Sequence, residues 1–170
     1  SEVDAAKLTD IISAQKSWES FVATLKAEFT QQQEIIDLAD SLLQEHSHLI
    51  QDMPSPVGEL NQLTSHARGH ILCMGPSLTG LIAQAMQAYF MGNEITVSTV
   101  ESDFSSYDAV AYNEESQVSS GIKKQLASDD GVIKPLIADV LAPYRYKLER
   151  HCCTDTTAAG GDAALIAGVI

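Results

Sequence analysis

The sequence predicts an α/β protein in which N-terminal helices precede a parallel sheet of four to five strands. Three observations carry this prediction. A seven-residue hydrophobic repeat fills the first 50 residues, a Pro- and Gly-rich segment interrupts the chain at 53–58, and short apolar runs bounded by glycine follow from residue 68. Apolar β-forming runs that alternate with helical stretches are typical of a parallel sheet covered on both faces.

The composition indicates a globular chain whose partners are small molecules or proteins. Of 170 residues 45% are hydrophobic, and 10 basic against 23 acidic residues give a formal net charge of −13. Because this charge repels nucleic-acid phosphates and anionic lipid, we expect neither as a partner. No apolar run reaches the ~18 residues of a membrane span and no secretory pattern opens the chain, which predicts a cytoplasmic protein without a membrane partner. Three cysteines, an odd number, predict reduced thiols.

The first 50 residues predict helices that bury one apolar stripe. Positions seven or fourteen apart are apolar, among them Leu8, Val22, Phe29, Ile36 and Leu43, which is the heptad pattern. One long helix and two antiparallel helices both fit, but a single helix of about 43 residues would be roughly 65 Å long. We therefore expect a break near Thr30 or a partner copy that covers the stripe. Association of two or four identical chains through these helices is the predicted use of the stripe.

The chain is predicted to divide at the prolines. Residues 1–52 form the helical oligomerisation segment, 53–58 the linker and 59–170 the α/β domain, because two prolines and a glycine in Met53-Pro54-Ser55-Pro56-Val57-Gly58 cannot continue a helix. A short polar helix is predicted to follow at 59–66.

The α/β domain is predicted to hold three central strands and two helices in a flavodoxin-like arrangement. The strands are 70–74, 95–100 and 109–112, and the helices are 78–91 and 117–127. A weaker strand at 132–138 contains Pro135, 144–152 fits either an edge strand or a helix, and 161–170 fits a closing helix. Ligands of such sheets bind at the carboxyl ends of the strands, where the strand order reverses, so the site is predicted around 75–79, 101–106 and 113–116.

The turn after the first strand is the most informative segment. Its sequence, Gly75-Pro76-Ser77-Leu78-Thr79-Gly80, lies where backbone N–H groups and hydroxyls at a helix start face the end of the sheet, an arrangement suited to phosphate. The alternative is a tight strand-to-helix turn in which Ser77 or Thr79 caps the helix. Neither the Gly-x-Gly-x-x-Gly pattern nor the phosphate-loop Gly-Lys-Ser/Thr ending is present.

This segment resembles the sugar isomerase (SIS) domain family, particularly its phosphoheptose isomerase-like branch. In the family pattern, Gly-x-Gly-x-Ser-Gly-x-x-Ala, Gly75 is the first glycine, Ser77 replaces the second and Thr79 stands at the phosphate-binding serine, while Gly80 and Ala83 match. The likeness covers 68–101 and fades after it. It implies a phosphosugar ligand, a Glu or His base and helices before the sheet that build the oligomer.

The resemblance implies further candidate site residues, and the sequence departs from the family pattern in one loop. Glu101, after the second strand, and His151 are the candidate base and acid, and Asn113 and Ser116 stand in the second ligand loop. That loop has Asn-Glu-Glu-Ser where the family has a hydroxyl-rich stretch, and two carboxylates there would repel phosphate. The run His-Cys-Cys from residue 151 lacks a second ligand pair, so neither a metal nor another cofactor is predicted.

Three functions remain open from the sequence. The first is a phosphosugar-binding protein that isomerises an aldose and a ketose phosphate. The second is a non-catalytic SIS-like module that binds a sugar phosphate or a protein and regulates a partner, which the acidic second loop favours. The third is an adaptor whose function lies in the N-terminal helices. Fold likeness alone does not choose among them.

Overall fold

The computed structural model describes residues 1–15, 17–46, 50–114, 116–128 and 131–155. It divides into two compact units, one from 1–47 and 67–147 and the other from 48–66 and 148–170. The predicted division into 1–52, 53–58 and 59–170 stays a prediction, although the helices and the parallel sheet fall in the same unit. The predicted closing helix at 161–170 lies outside the described residues. Within the described ranges, no helix is long and apolar enough to cross a membrane.

The N-terminal segment forms three helices rather than one or two. They are α1 (Glu2–Ala14), α2 (Trp18–Glu28) and α3 (Gln33–Glu45), with a 3-10 turn at Thr30–Gln32. The predicted break near Thr30 is confirmed. A further break precedes α2, where the Ser17 side chain accepts a hydrogen bond from the Ser20 N–H and caps the new helix.

The apolar stripe is buried inside this chain. Its residues Leu8, Leu25, Ile36 and Leu43 are fully buried and share one core with α4 (Leu78–Phe90). The Trp18 ring packs against the α4 ring of Phe90 with centroids 4.9 Å apart. A helix of this chain thus covers the stripe, and association of identical copies through the N-terminal helices stays a prediction.

Four parallel strands form the predicted sheet. They are β3 (His70–Met74), β4 (Glu94–Ser98), β5 (Ala109–Ala111) and β6 (Leu136–Ile137), in the order β4-β3-β5-β6. Alternate residues of β3 face opposite sides, Cys73 in a cluster with Ala88 of α4 and Leu72 in one with Ile122 of α5 (Gln117–Ala127). Helices therefore cover both faces, and the fold is α/β with N-terminal helices and a four-stranded parallel sheet, as predicted.

A second, three-stranded sheet was not predicted. Its strands are β1 (Ile50–Met53), β2 (Glu59–Ala67) and β7 (Lys147–Asp155), in the order β1-β2-β7. The predicted polar helix at 59–66 is wrong, because the segment pairs antiparallel with β1, from Met53 opposite Asn61 to residue 50 opposite residue 64. Cross-strand pairing here outweighs the local helical preference of a polar sequence. For 144–152, the edge-strand alternative is confirmed from residue 147.

Candidate functional site

The turn from β3 into α4 is built around one glycine and one serine. Gly75 has φ +150°, a conformation that side chains rarely adopt, although a Cβ there would meet only the Tyr112 ring at 4.0 Å. Ser77 has extended backbone geometry and its Oγ accepts a hydrogen bond from the Gly80 N–H at 3.3 Å, which caps α4. The first N–H groups of α4 have no acceptor within their own helix. They make this end of the helix electropositive.

The turn opens onto a cavity of about 160 Å³ at the carboxyl edge of the parallel sheet. The cavity lies where the strand order reverses, since β4 lies on one side of β3 and β5 on the other. Met74 closes it from the end of β3, Asn113 and Glu114 from the segment after β5, and Val140 from the segment after β6. This is the place at which open parallel sheets bind their ligands.

A buried glutamine of α4 forms part of the cavity wall. Gln84 is 1% exposed, and its Nε2 donates to the Met74 carbonyl at 3.1 Å and to Asn113 Oδ1. Asn113 is fixed in turn, because its Nδ2 donates to the carbonyl of Asp139 at 2.7 Å. Within the part of the chain that is described, the Gln84 Oε1 has no hydrogen-bond partner.

Four of the residues predicted for the site meet at this cavity. Gly75, Ser77, Thr79 and Asn113 all line it. The Thr79 hydroxyl donates to Gln32 Oε1 at 2.8 Å, so in this structure it is already paired with the turn that precedes α3.

The other three predicted residues do not line the cavity. Ser116 caps α5, where its Oγ accepts from the Ser119 N–H at 3.3 Å. Glu101 follows β4 and its Oε1 accepts from the N–H of Ser102 at 2.7 Å, as loop carboxylates commonly do. His151 is exposed on β7, in the other compact unit. The structure therefore does not place Glu101 among the residues that line this cavity, and His151 belongs to a different unit of the chain.

The cavity has an acidic residue at its rim and a largely apolar wall. Glu114, the charged residue among the described residues that line it, is exposed at the rim, and these described residues include no Lys or Arg. The neighbouring Cys73 is fully buried in β3, and burial raises the pKa of its thiol far above the usual range, which makes it unreactive. In the described ranges, no group of three or more His, Cys, Asp or Glu side chains is placed to hold a metal ion.

Sequence reasoning missed Gln84. The signal was present, because Gln84 and Gln87 interrupt an otherwise apolar helix at 81–88, all of which is buried. A polar residue inside a helix that is apolar all round must find partners in the protein or in a ligand.

The fold and this site define a Rossmann-like α/β domain, and solved structures share that fold. A mutant form of Proline Utilization A (PutA) from Bradyrhizobium japonicum superposes with a TM-score of 0.53 at 20% identity, over 81% of this chain and 19% of that one. PutA from Corynebacterium freiburgense gives a TM-score of 0.59 at 17% identity, over 76% of this chain and 14% of that one. An NAD-dependent benzaldehyde dehydrogenase from Corynebacterium glutamicum gives 0.46 at 15% identity, over 82% and 39%.

The likeness shows a shared fold with one part of PutA. This chain spans less than a fifth of the length of those PutA chains. No family model matches the sequence, and no curated protein matches it either.

These findings correct the predicted function. The SIS-like phosphosugar-binding protein or isomerase, with its SIS-like regulatory alternative, is wrong, because the fold is shared with PutA chains. The departures already seen in the sequence have a physical counterpart, since Glu114 lines the cavity where a sugar phosphate would place its charge. The resemblance of 68–101 to the SIS pattern stays a prediction, because no family model matches.

Proposed function

We propose that this chain is a Rossmann-like domain of a multidomain enzyme of the proline-utilization type, and that its role there is architectural. The observation that carries the proposal is the extent of the structural likeness, which includes 76–81% of this chain but only 14–19% of PutA chains. A chain of this size corresponds to one domain of such a protein.

The size, sequence and charge of the cavity argue against dinucleotide binding. Pockets for organic ligands usually measure about 300–1,000 Å³, and this one measures about 160 Å³. The turn also lacks the glycine pattern that lets a pyrophosphate approach the backbone. Glu114 at the rim would repel the two phosphates of a dinucleotide, and the described residues of the lining include no cationic side chain to offset that repulsion.

Two measurements test the proposal. An antiserum against this chain should detect, in extracts of the source organism, a polypeptide several times larger than the 18.3 kDa of the chain. A native band of 18.3 kDa would overturn the assignment to a multidomain enzyme.

The second measurement concerns the dinucleotide. Titration of the purified chain with NAD⁺ and NADH, followed by the fluorescence of Trp18, should show no saturable change up to millimolar concentrations. The single tryptophan packs on α4, the helix whose N-terminus lines the cavity. Saturable dinucleotide binding, confirmed by calorimetry, would contradict the architectural role.

A further inference from the structure

Two adjacent cysteines lie on β7, and both are exposed. Successive side chains of a strand point to opposite faces of its sheet. The contacts follow this alternation, because Cys152 Sγ lies 3.9 Å from the Oγ1 atom of Thr154, two residues along the strand, whereas Cys153 Sγ donates to Glu59 Oε2 on β2 at 3.9 Å. The two thiols therefore have different chemical surroundings, although they are neighbours in sequence.

The geometry of the strand disfavours a disulfide between these two neighbours. Their Cα atoms are about 3.8 Å apart, as in any trans peptide, whereas disulfides usually join Cα atoms about 4.4–6.8 Å apart. The two side chains also point away from each other. A bond between Cys152 and Cys153 would require this part of β7 to leave the extended geometry in which it pairs with β2. Each thiol is thus placed to react with a molecule from solution.

The surroundings of Cys153 are acidic. Asp155 lies two residues along the strand on the same face, and Glu59 contacts the sulfur directly. Desolvation, followed by the charges of Glu59 and Asp155, raises the pKa of the Cys153 thiol. Because the thiolate is the reactive form, Cys153 is a slow nucleophile near neutral pH. The same carboxylates repel a reagent that carries negative charge.

The surroundings of Cys152 have the opposite character. Arg150 precedes it by two residues, so the exposed guanidinium projects from the same face, with the two Cα atoms about 6.6 Å apart. By the same alternation Leu60 and Gln62 of β2 occupy this face, and both are uncharged. A cationic, exposed position is typical of cysteines that react with small molecules. Arg150 also attracts a reagent that carries carboxylates.

We propose that Cys152 is a site of reversible S-thiolation by small anionic disulfides such as glutathione disulfide, and that Glu59 protects Cys153 from the same reaction. Cys152 loses its proton to solvent and its sulfur attacks one sulfur of the reagent. The S–S bond of the reagent breaks as the new S–S bond forms, and the other half leaves as a thiolate. The Cys152 sulfur is thereby oxidised and the leaving sulfur reduced. The proposal does not depend on the architectural role, since it rests on β2 and β7 alone.

Glutathione disulfide and the unaltered chain test the site without any substitution. After acid quenching at short times near neutral pH, peptide mass spectrometry should show Cys152 modified severalfold faster than Cys153. The buried Cys73 should carry no adduct, and dithiothreitol should release the adduct from Cys152 completely. Rates that are equal or reversed at the two neighbours, or a disulfide between them as the main product, would overturn the proposal.

Two variants of exposed residues test the charges. Glu59→Gln should raise the rate at Cys153 severalfold and leave the rate at Cys152 unchanged, whereas the control Glu34→Gln, which removes the same charge from α3, should change neither. An unchanged rate at Cys153 in Glu59→Gln would overturn the protective role of Glu59. Arg150→Gln should slow the reaction of Cys152 with glutathione disulfide more than its reaction with the neutral 2-hydroxyethyl disulfide. Equal slowing of both reactions, or of neither, would overturn the preference for an anionic reagent.

Discussion

Two buried glutamines on one helix provide an internal comparison of paired and unpaired polar atoms. Gln84 and Gln87 lie three residues apart on α4 and are 1% and 0% exposed. Each is replaced by methionine, which has nearly the same length and flexibility but no amide. The two variants remove the same chemical group from the same helix and differ only in the hydrogen-bond partners of that amide.

The hydrogen bonds predict different changes in the free energy of unfolding for the two substitutions. The Gln87 amide is saturated: Nε2 donates to the carbonyls of Ala83 at 2.9 Å and Val140 at 2.8 Å, and Oε1 accepts from the Ala142 N–H at 2.6 Å. Its loss leaves the buried N–H of Ala142 unpaired, at about 1–3 kcal/mol, and two further bonds unmade, at about 1 kcal/mol each. The expected destabilisation of Gln87→Met is therefore about 3–5 kcal/mol.

For Gln84 the gain and the loss nearly cancel. Two donated bonds disappear, but the unpaired Oε1, whose burial costs about 1–3 kcal/mol, disappears with them. We therefore expect Gln84→Met to lower the free energy of unfolding by less than about 1.5 kcal/mol.

Urea unfolding followed by Trp18 fluorescence measures both values. Trp18 is the single tryptophan and contacts Phe90 at the far end of the same helix. The dependence on urea, the m-value, should not change, so that the midpoints report stability directly. A destabilisation by Gln84→Met as large as that by Gln87→Met would refute the reasoning that Oε1 is unpaired.

Two further predictions concern stability. Gly69→Ala should lower the free energy of unfolding by more than about 2 kcal/mol, because Gly69 has φ +132° and a Cβ would press on the Asp108 carboxylate. Gly121→Ala should raise the free energy of unfolding by about 0.5–1 kcal/mol, because Gly121 lies inside α5 and a Cβ there would meet nothing within 4 Å. Thermal unfolding of the two variants measures the difference. Burial raises the pKa of the Cys73 thiol, so the folded chain keeps a proton that the unfolded chain releases above about pH 8.5, and stability should fall there by up to about 1.4 kcal/mol per pH unit. Cys73→Ala should remove this excess slope in urea unfolding compared near pH 7.5 and near pH 10, and an unchanged slope would contradict it.

The parallel sheet was predictable because its signals are local. β3 is a run of five residues, His70–Met74, of which the last four are buried on both faces, so composition alone marks it as a central strand. The antiparallel sheet gave no such signal. The strand Glu59–Ala67 is polar, and its pairing with β1 depends on a partner rather than on its own pattern.

The residues of the candidate site were predictable where the backbone geometry of the turn requires them. They were not predictable where residues were chosen only for their ability to transfer protons. Gly75 and Ser77 were found because a strand-to-helix turn needs such residues at those places. Glu101 and His151 were selected as residue types that can move protons, and the sequence held no information on their distance from the turn. Gln84 was passed over because its partners, Met74 and Asn113, come together only in the folded sheet.

A local motif identifies a turn and not a family. Residues 68–101 comprise a strand, a turn, a helix and a second strand, a unit that open parallel sheets of unrelated function share. What separates such folds is the remainder of the topology, and here that includes β1, β2 and β7, drawn from 50–67 and 147–155. These strands are distant in sequence, and two of them flank the predicted linker. The segments that distinguish this chain from other parallel-sheet proteins therefore carry no local sequence motif. The function must accordingly be sought at the cavity and in the second sheet, rather than in the likeness of one turn.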